Sequence, residues 1–468
     1  MRRVKRAERY HQANSLFEAS LRGEVNLMKE MKRVVTGTGP ADDIADVVDG
    51  AVGQDNIAGK FKEVYQNLYN SATSEETVKE ILSNLQMKIQ EKRTDSVKEV
   101  QKLTGQTVKD AVNSMKKQKL DISQGFSSES LINAPEILFH VLSLIFKDWL
   151  VHGTVSKFIL SCAFIPLLKG NLKDPTASDS YRAIAASSLI LKVFEKCILL
   201  IWGDALESDS LQFGFKKNCG TDTASWLVQE VLSHYVREGS KPIAVILDCT
   251  KAFDLARHDV LFQRLQERLP EIVVRVLIFS YREQKAWVRW GREVTSSIFN
   301  ISNGTRQGSV GSPSFWSVYL NPLFDLLRRA DIGCRLGGLF VGVIGYADDL
   351  ILLAPCRRAA VKMIEICEKF AEENNIVFSI NDNPDKSKSK TMYVVGYGEK
   401  NLPPPEQLYL CGTPLPWVKK ADHLGNLLSS EGTMESDARQ KLAKYIDGSV
   451  KIRENFFFAH PQDQINAI

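Results

Sequence analysis

Two adjacent aspartates stand between the apolar runs Leu339 to Gly345 and Leu350 to Ala354, in the string Tyr346-Ala347-Asp348-Asp349. Apolar runs joined across such a pair read as a β-hairpin with carboxylates at its tip, and oxygen ligands of this kind hold hard cations. The same string also suits a plain turn, in which aspartates hydrogen-bond their own backbone. A second carboxylate shifts the balance toward a metal. Pro242-Ile-Ala-Val-Ile-Leu-Asp248 has the pattern of a buried strand that ends on an acid, and Cys249-Thr-Lys-Ala-Phe253-Asp254 follows it. An acid in that place carries a desolvation cost unless something pairs it, and a divalent ion shared with Asp348 would do so. The other reading of Asp248 is a helix N-cap or a salt-bridged strand end.

Between the two acidic elements lies Gly304-Thr-Arg-Gln-Gly308-Ser-Val-Gly-Ser-Pro313, followed by the apolar stretch Phe315 to Leu327. Glycines let a ligand approach the backbone closely, and proline after a Gly/Ser-rich turn opens a helix. The surrounding pattern alternates helix and strand. It predicts a helix over Thr223 to Val236, a strand over Ile243 to Leu247, a helix over Asp259 to Leu269 and a hairpin across Gly291-Arg292. The aspartate hairpin, a helix over Arg357 to Glu373 and a strand over Ile376 to Ile380 come after it.

The chain has 468 residues and 44% hydrophobic content, which gives room for about three domains and a sizeable core. A net charge of only +4 means that any electrostatic attraction to nucleic acid must be local. Basic residues do cluster: Lys109, Lys116, Lys117 and Lys119, then Lys216 and Lys217, then Lys386, Lys388 and Lys390. Each cluster suits either a solvated surface or contacts to a phosphate backbone. Eight cysteines with no close Cys-x-x-Cys pair suggest neither a zinc site nor a disulfide framework, and they fit a reducing compartment. Charged residues interrupt the apolar runs Ile137 to Leu150 and Ile190 to Trp202, and no cationic-then-apolar leader opens the chain, so neither a signal peptide nor a membrane partner is expected.

The order of these motifs resembles the reverse transcriptases of non-LTR (LINE-type) retrotransposons. LDCTKAFD looks like their motif A, TRQGSVGSP like motif B and YADD like motif C. Upstream, Phe164-Ile-Pro-Leu-Leu-Lys169 and Tyr181-Arg182-Ala-Ile resemble two finger motifs, and Gln212-Phe-Gly-Phe-Lys-Lys-Asn-Cys-Gly-Thr221 resembles the segment ahead of motif A. Downstream, Lys386-Ser-Lys388-Ser-Lys390 stands where a motif D lysine belongs, and His423-Leu424-Gly425-Asn-Leu-Leu-Ser looks like the primer-grip hairpin. Departures are Ala183, where proline is usual after the finger arginine, and the unusual Asn218-Cys219-Gly220.

The resemblance implies an α+β fold, a right-hand polymerase with fingers, palm and partial thumb, preceded by a mainly helical connector. The expected divisions are a connector over 1–105, with helices over Val4 to Met31 and Gly59 to Ile89, fingers over 106–218, a palm over 219–396, and a primer-grip hairpin and start of thumb over 397–468. It implies RNA-directed DNA synthesis within a retrotransposon polyprotein, of which this chain lacks the endonuclease and is expected to stop short of a Cys/His knuckle; an inactive or domesticated nucleic-acid-binding remnant is the alternative. Asp248, Asp348 and Asp349 would hold two Mg²⁺ ions, or Mn²⁺ in their place, roughly 3.5 to 4 Å apart. Lys388 would protonate the leaving pyrophosphate. Lys169 and Arg182 would bind the triphosphate, Phe253 would exclude a 2′-hydroxyl unless it is plain core, and Gln307 and Gly308 would line the nucleotide pocket. Tyr346, Leu424 and Gly425 would contact the primer. The expected partners are an RNA template, a DNA primer or nicked target DNA, and deoxynucleoside triphosphates, inside the cell in nucleus and cytoplasm.

Overall fold

A computed structural model describes residues 45–70, 74–121, 125–170, 174–291, 294–306, 308–379, 391–396, 405–430 and, of 437–450, all but 440, 444, 448 and 449. The expected helix Val4 to Met31, Gln307 and the lysines 386, 388 and 390 lie outside the described residues.

The principal strands are β1 (Cys162–Leu168), β2 (Tyr181–Ser187), β3 (Ile243–Asp248), β4 (Lys285–Trp290), β5 (Val343–Tyr346), β6 (Asp349–Ala354) and β7 (Met392–Val395). The helices that shape the molecule around them are α1 (Gln54–Leu68), α2 (Glu75–Glu91), α3 (Glu136–His152), α4 (Leu189–Trp202), α5 (Thr221–Arg237), α6 (His258–Gln266), α7 (Glu271–Arg282), α8 (Ser312–Ala330) and α9 (Arg357–Glu373). The fold is a mixture of helices and sheets of the α+β kind.

One sheet has four antiparallel strands in the order β5-β6-β3-β7. Its two central strands, β3 and β6, are apolar along nearly their whole length because helices and the β5 and β7 flanks cover them. Helix α9 supplies part of that cover: Ala360, Met363, Ile364, Cys367, Phe370 and Ala371 recur at helical spacing and are all buried. Helix α8 begins with proline in its first turn, as expected, and buries Phe315, Trp316, Tyr319, Leu320, Leu323, Phe324 and Leu327. Of the expected strand Ile376 to Ile380, residue 380 lies outside the described residues, and residues 376–379 show an isolated bridge, Cys249↔Phe378, flanked by hydrogen bonds from Thr250 N to Val377 O (2.7 Å) and from Ser379 N to Asp248 O (2.8 Å). They meet the chain only where β3 has already ended, and β7 takes the sheet edge that a longer strand would need.

The second sheet joins β2, β1 and β4 to the short strands Val294–Thr295 and Phe299–Asn300, with β1 antiparallel to β2 and parallel to β4. The turn residues 292 and 293 of its hairpin lie outside the described residues. Helix α1 covers one face of this sheet. Phe61 meets Trp290 with ring centroids 5.1 Å apart, and Tyr69 stacks on Phe164 at 4.9 Å. Val48, Ile57, Phe61, Tyr65 and Tyr69 form a single buried cluster with Phe164, Ala183, Ala185, Val288, Trp290 and Phe299. The single helix expected over Gly59 to Ile89 is in fact two, α1 and α2. Ser74 caps the second by accepting a hydrogen bond from Thr77 N at 3.3 Å, and Glu75 and Glu76 in the first turn suit the positive end of the helix dipole. A hydrophobic period running on through a capping signal had hidden the break.

Candidate active site

The register of the four-stranded sheet places the acids. Asp349, the first residue of β6, lies directly opposite Asp248, the last residue of β3, and is also paired with Tyr346 across the hairpin. Asp348 is therefore in the two-residue turn with Ala347. Directly opposed residues point to the same face of a sheet, so the two carboxyl groups lie side by side. All three acids are half-buried. Their combined field reaches the buried thiol of Cys249, which is pushed well above the ordinary cysteine range first by burial and then by the carboxylates of Asp348, Asp248 and Asp349. The donors that the aspartate turn and the end of β3 offer to a cation here are carboxylate oxygens. That set fits a hard ion such as Mg²⁺ or Mn²⁺. As placed, no three His, Cys, Asp or Glu side chains among the described residues converge closely enough to hold an ion.

The aspartate turn is held from behind. Ala347 has φ of 61°, a left-handed conformation that costs an ordinary residue free energy unless its surroundings impose it. The side-chain amide of the fully buried Gln212 supplies that constraint. Its Oε1 accepts from Ala347 N at 2.9 Å and from Gly214 N at 2.9 Å, and its Nε2 donates to Ala347 O at 3.1 Å. The indole of Trp316 donates to the same carbonyl at 3.2 Å. Backbone bonds from Phe213 N to Gly345 O (2.7 Å) and from Gly345 N to Leu211 O (2.9 Å) fasten the 211–214 segment along β5. A methyl group on Gly214 would come within 2.2 Å of Ala347 N, so only glycine allows this approach.

The glycine-rich loop is laced to the segment after β3. Thr305 N donates to Phe253 O (2.6 Å), Asn303 Nδ2 to Asp254 O (2.8 Å) and Gly304 N to Ala256 O (2.7 Å). His258, buried and with its pKa lowered to about 4 by that burial, is a neutral imidazole whose Nε2 lies 2.9 Å from Gly304 O. Tyr69 reaches the same place from α1 and hydrogen-bonds the Asp254 carboxylate; burial raises the pKa of the phenol well above its ordinary value, and Asp254 raises it further. Farther along, Glu195 of α4 pairs with Arg306 at 3.2 Å, both side chains being almost completely buried. The same carboxylate accepts from Ser309 Oγ, from Val310 N (2.9 Å) and from Gly311 N (3.3 Å), and Arg306 lies over the Tyr281 ring at 4.5 Å. One carboxylate thus gathers three donors and a guanidinium of the loop.

The remaining candidates are placed as follows. Phe253 is half-buried, with its ring 5.3 Å from Trp316 and 6.0 Å from the exposed Phe215. Lys169 and Arg182 are exposed near one end of the β1–β2 ladder, where Leu167 pairs with Arg182. Lys169 Nζ donates to Asp179 O at 2.6 Å, and the Asp179 carboxylate pairs with Lys251 at 3.1 Å, which ties the second sheet to the segment after β3. Gly308 has φ of 102° and backs onto Ala185 O, 3.0 Å from where a methyl would stand. Tyr346 is half-buried beside the aspartates. Leu424 and Gly425 form the left-handed turn (φ 52° and 77°) of the hairpin Lys420–His423/Asn426–Ser429. Of the basic clusters, Lys109 is engaged by Glu136 and Lys216 by Asp209 O, whereas Lys116, Lys117, Lys119 and Lys217 are exposed. Glu195, Gln212 and Trp316 went unassigned by sequence reasoning. Glu195 left a signal as an acid inside the apolar run Leu189 to Trp202, and Gln212 as the first residue of the segment that resembles the one ahead of motif A.

Residues 169–425 match the family described as reverse transcriptase (RNA-dependent DNA polymerase). Among curated relatives, the Retrovirus-related Pol polyprotein from type-1 retrotransposable element R2 of Popillia japonica is 26% identical over 186 residues, 39% of this chain and 26% of that protein. The Pol polyprotein from type-2 retrotransposable element R2DM of Drosophila melanogaster is 24% identical over 237 residues, 50% of this chain and 22% of its own length. That from R2 of Nasonia vitripennis is 23% identical over 214 residues, covering 44% and 20%. The chain spans about a quarter or less of the length of these relatives. With over half of its residues matched, the chain belongs to the reverse transcriptase family, and the relatives named here are Pol polyproteins of R2 retrotransposable elements.

Proposed function

We propose that the chain copies an RNA template into DNA by adding deoxynucleotides to a primer, with Asp248, Asp348 and Asp349 as its metal-binding carboxylates. The observation that carries this reading is the cross-strand pairing of Asp248 with Asp349 beside the Asp348 turn, which gathers three carboxylates at one end of the sheet, the oxygen-donor set that a hard divalent cation takes. Two magnesium ions bound there would neutralise charge on the attacking and leaving oxygens. The rest of the reaction is positioning. Phe253, braced by Trp316, lies under the incoming sugar. Lys169 and Arg182 meet the triphosphate, Gln307 and Gly308 line the pocket, and Tyr346 with the Leu424–Gly425 turn supports the primer end. Lys388 donates the proton to pyrophosphate, an assignment that rests on the resemblance. In this reading the two sheets belong to palm and fingers.

Primer extension on an RNA template with magnesium tests the proposal: a full-length DNA product is expected. Binding of primer-template without any extension would point instead to a remnant that kept the fold and lost the chemistry. The sugar role of Phe253 has its own measurement. Trimming the ring in Phe253→Val opens the space a 2′-hydroxyl needs, so ribonucleotide use relative to deoxynucleotide use should rise by about tenfold or more, ~1.4 kcal/mol of differential transition-state binding. An unchanged ratio with only a loss of stability would make Phe253 a packing residue.

A further inference from the structure

We infer that Gln212 is a positioning residue for catalysis: its side-chain amide sets the strained Ala347 peptide and thereby aims Asp348. The inference rests on the reading of Asp348 as a metal ligand. An amide side chain is suited to this task because it can accept and donate at one end, as a neighbouring strand would. Gln212 does both on one residue, accepting from Ala347 N (2.9 Å) and donating to Ala347 O (3.1 Å), with Gly214 N (2.9 Å) as a third bond. It is fully buried, so these bonds face little competition from water. Ala347 holds its positive φ with an ordinary side chain, in a position that hairpin turns normally give to glycine or asparagine. The bracing amide does what glycine does elsewhere, and it does so without glycine's mobility. Trp316 shares the load at the same carbonyl (3.2 Å) and also packs against Phe253 (5.3 Å), which joins the carboxylate turn to the residue assigned to the sugar.

The test is Gln212→Met, which fills nearly the same volume and makes none of these bonds. Mn²⁺ binding is read by electron paramagnetic resonance on the full chain with primer-template and no nucleotide, exchange of the Ala347 amide by hydrogen-exchange mass spectrometry, and kcat and KM by single-nucleotide incorporation. The expected result is Mn²⁺ affinity lower by about tenfold or more, as for other residues that orient metal ligands. Faster exchange at Ala347 and kcat lower by roughly a hundred-fold with little change in KM should accompany it. A purely structural role would lower the fraction of active enzyme and the melting temperature while leaving Mn²⁺ affinity per active site as in the parent, and that result overturns the inference. If Gln212→Met does not fold, Trp316→Phe removes the other donor to Ala347 O and must lower Mn²⁺ affinity in the same direction; parental affinity in that variant overturns the inference too. Asp348→Ala is the control. Loss of Mn²⁺ affinity there with parental behaviour in Gln212→Met sinks the role of Gln212 alone, whereas parental affinity in Asp348→Ala sinks the metal reading beneath it.

Discussion

Replacing Asp348 or Asp248 by alanine is expected to lower deoxynucleotide incorporation by about a thousand-fold or more, ~4 kcal/mol of transition-state stabilisation, while primer-template affinity stays within a few-fold of the parent. The split follows from where the two kinds of interaction lie. In the proposed function, affinity would come from many phosphate contacts spread over exposed lysines, whereas the carboxylates would meet only the reacting atoms. Removing one of two facing negative charges should also leave stability equal or higher, because Asp248 and Asp349 oppose each other across the ladder. Rapid-quench incorporation, equilibrium binding and thermal unfolding of the same preparations check the three statements together. Extension within tenfold of the parent would remove that residue from the metal site.

Glu195→Ala should be the most damaging substitution far from the carboxylates. It leaves the Arg306 guanidinium buried without its counter-charge, a situation that costs about 3–5 kcal/mol, and it takes the acceptor away from Ser309, Val310 and Gly311 as well. The thermal midpoint should fall by roughly 5–10 °C. The double variant Glu195→Met/Arg306→Met separates the two effects. With both charges gone, part of the lost stability should return, since a buried pair replaced by apolar groups is often neutral. Incorporation should not return, because the loop amides still lack their acceptor. Additive destabilisation in the double variant would mean that the pair is not coupled, and restored incorporation would mean that the loop does not depend on Glu195.

Reading the fold from the sequence worked where the pattern was local. Helix α9 falls on Arg357 to Glu373 and β3 on Ile243 to Asp248, because an apolar period of about 3.6 or a short unbroken apolar run rich in Ile and Val identifies itself without help from the rest of the chain. It worked for the acids too: a strand ending on Asp248 and a hairpin turning at Asp348 need only register to come together. It failed where contacts at long range decide. Ile376 to Ser379 has the composition of a strand, yet the place beside β3 is filled by β7. Gln212 lies 135 residues before Ala347, and the segment that it opens, though it stands out in the sequence, does not say that its amide will brace a turn so far away. Tyr69 is similar, an aromatic at the end of a polar helix whose hydroxyl finds Asp254 only once the sheets have assembled.

The cover that α1 places over the second sheet bears on how this protein can be cut. Trimming the chain back to the part that matches the polymerase family would remove Phe61, Tyr65 and Tyr69, and Phe164 with the rest of β1, and lay bare Ala183, Val288, Trp290 and Phe299 together. An apolar sheet face of that kind invites self-association between molecules, so a shortened protein would be lost to precipitation before its catalytic competence could be judged. A unit that keeps this buried cluster whole therefore starts no later than Val48, well upstream of Asp248.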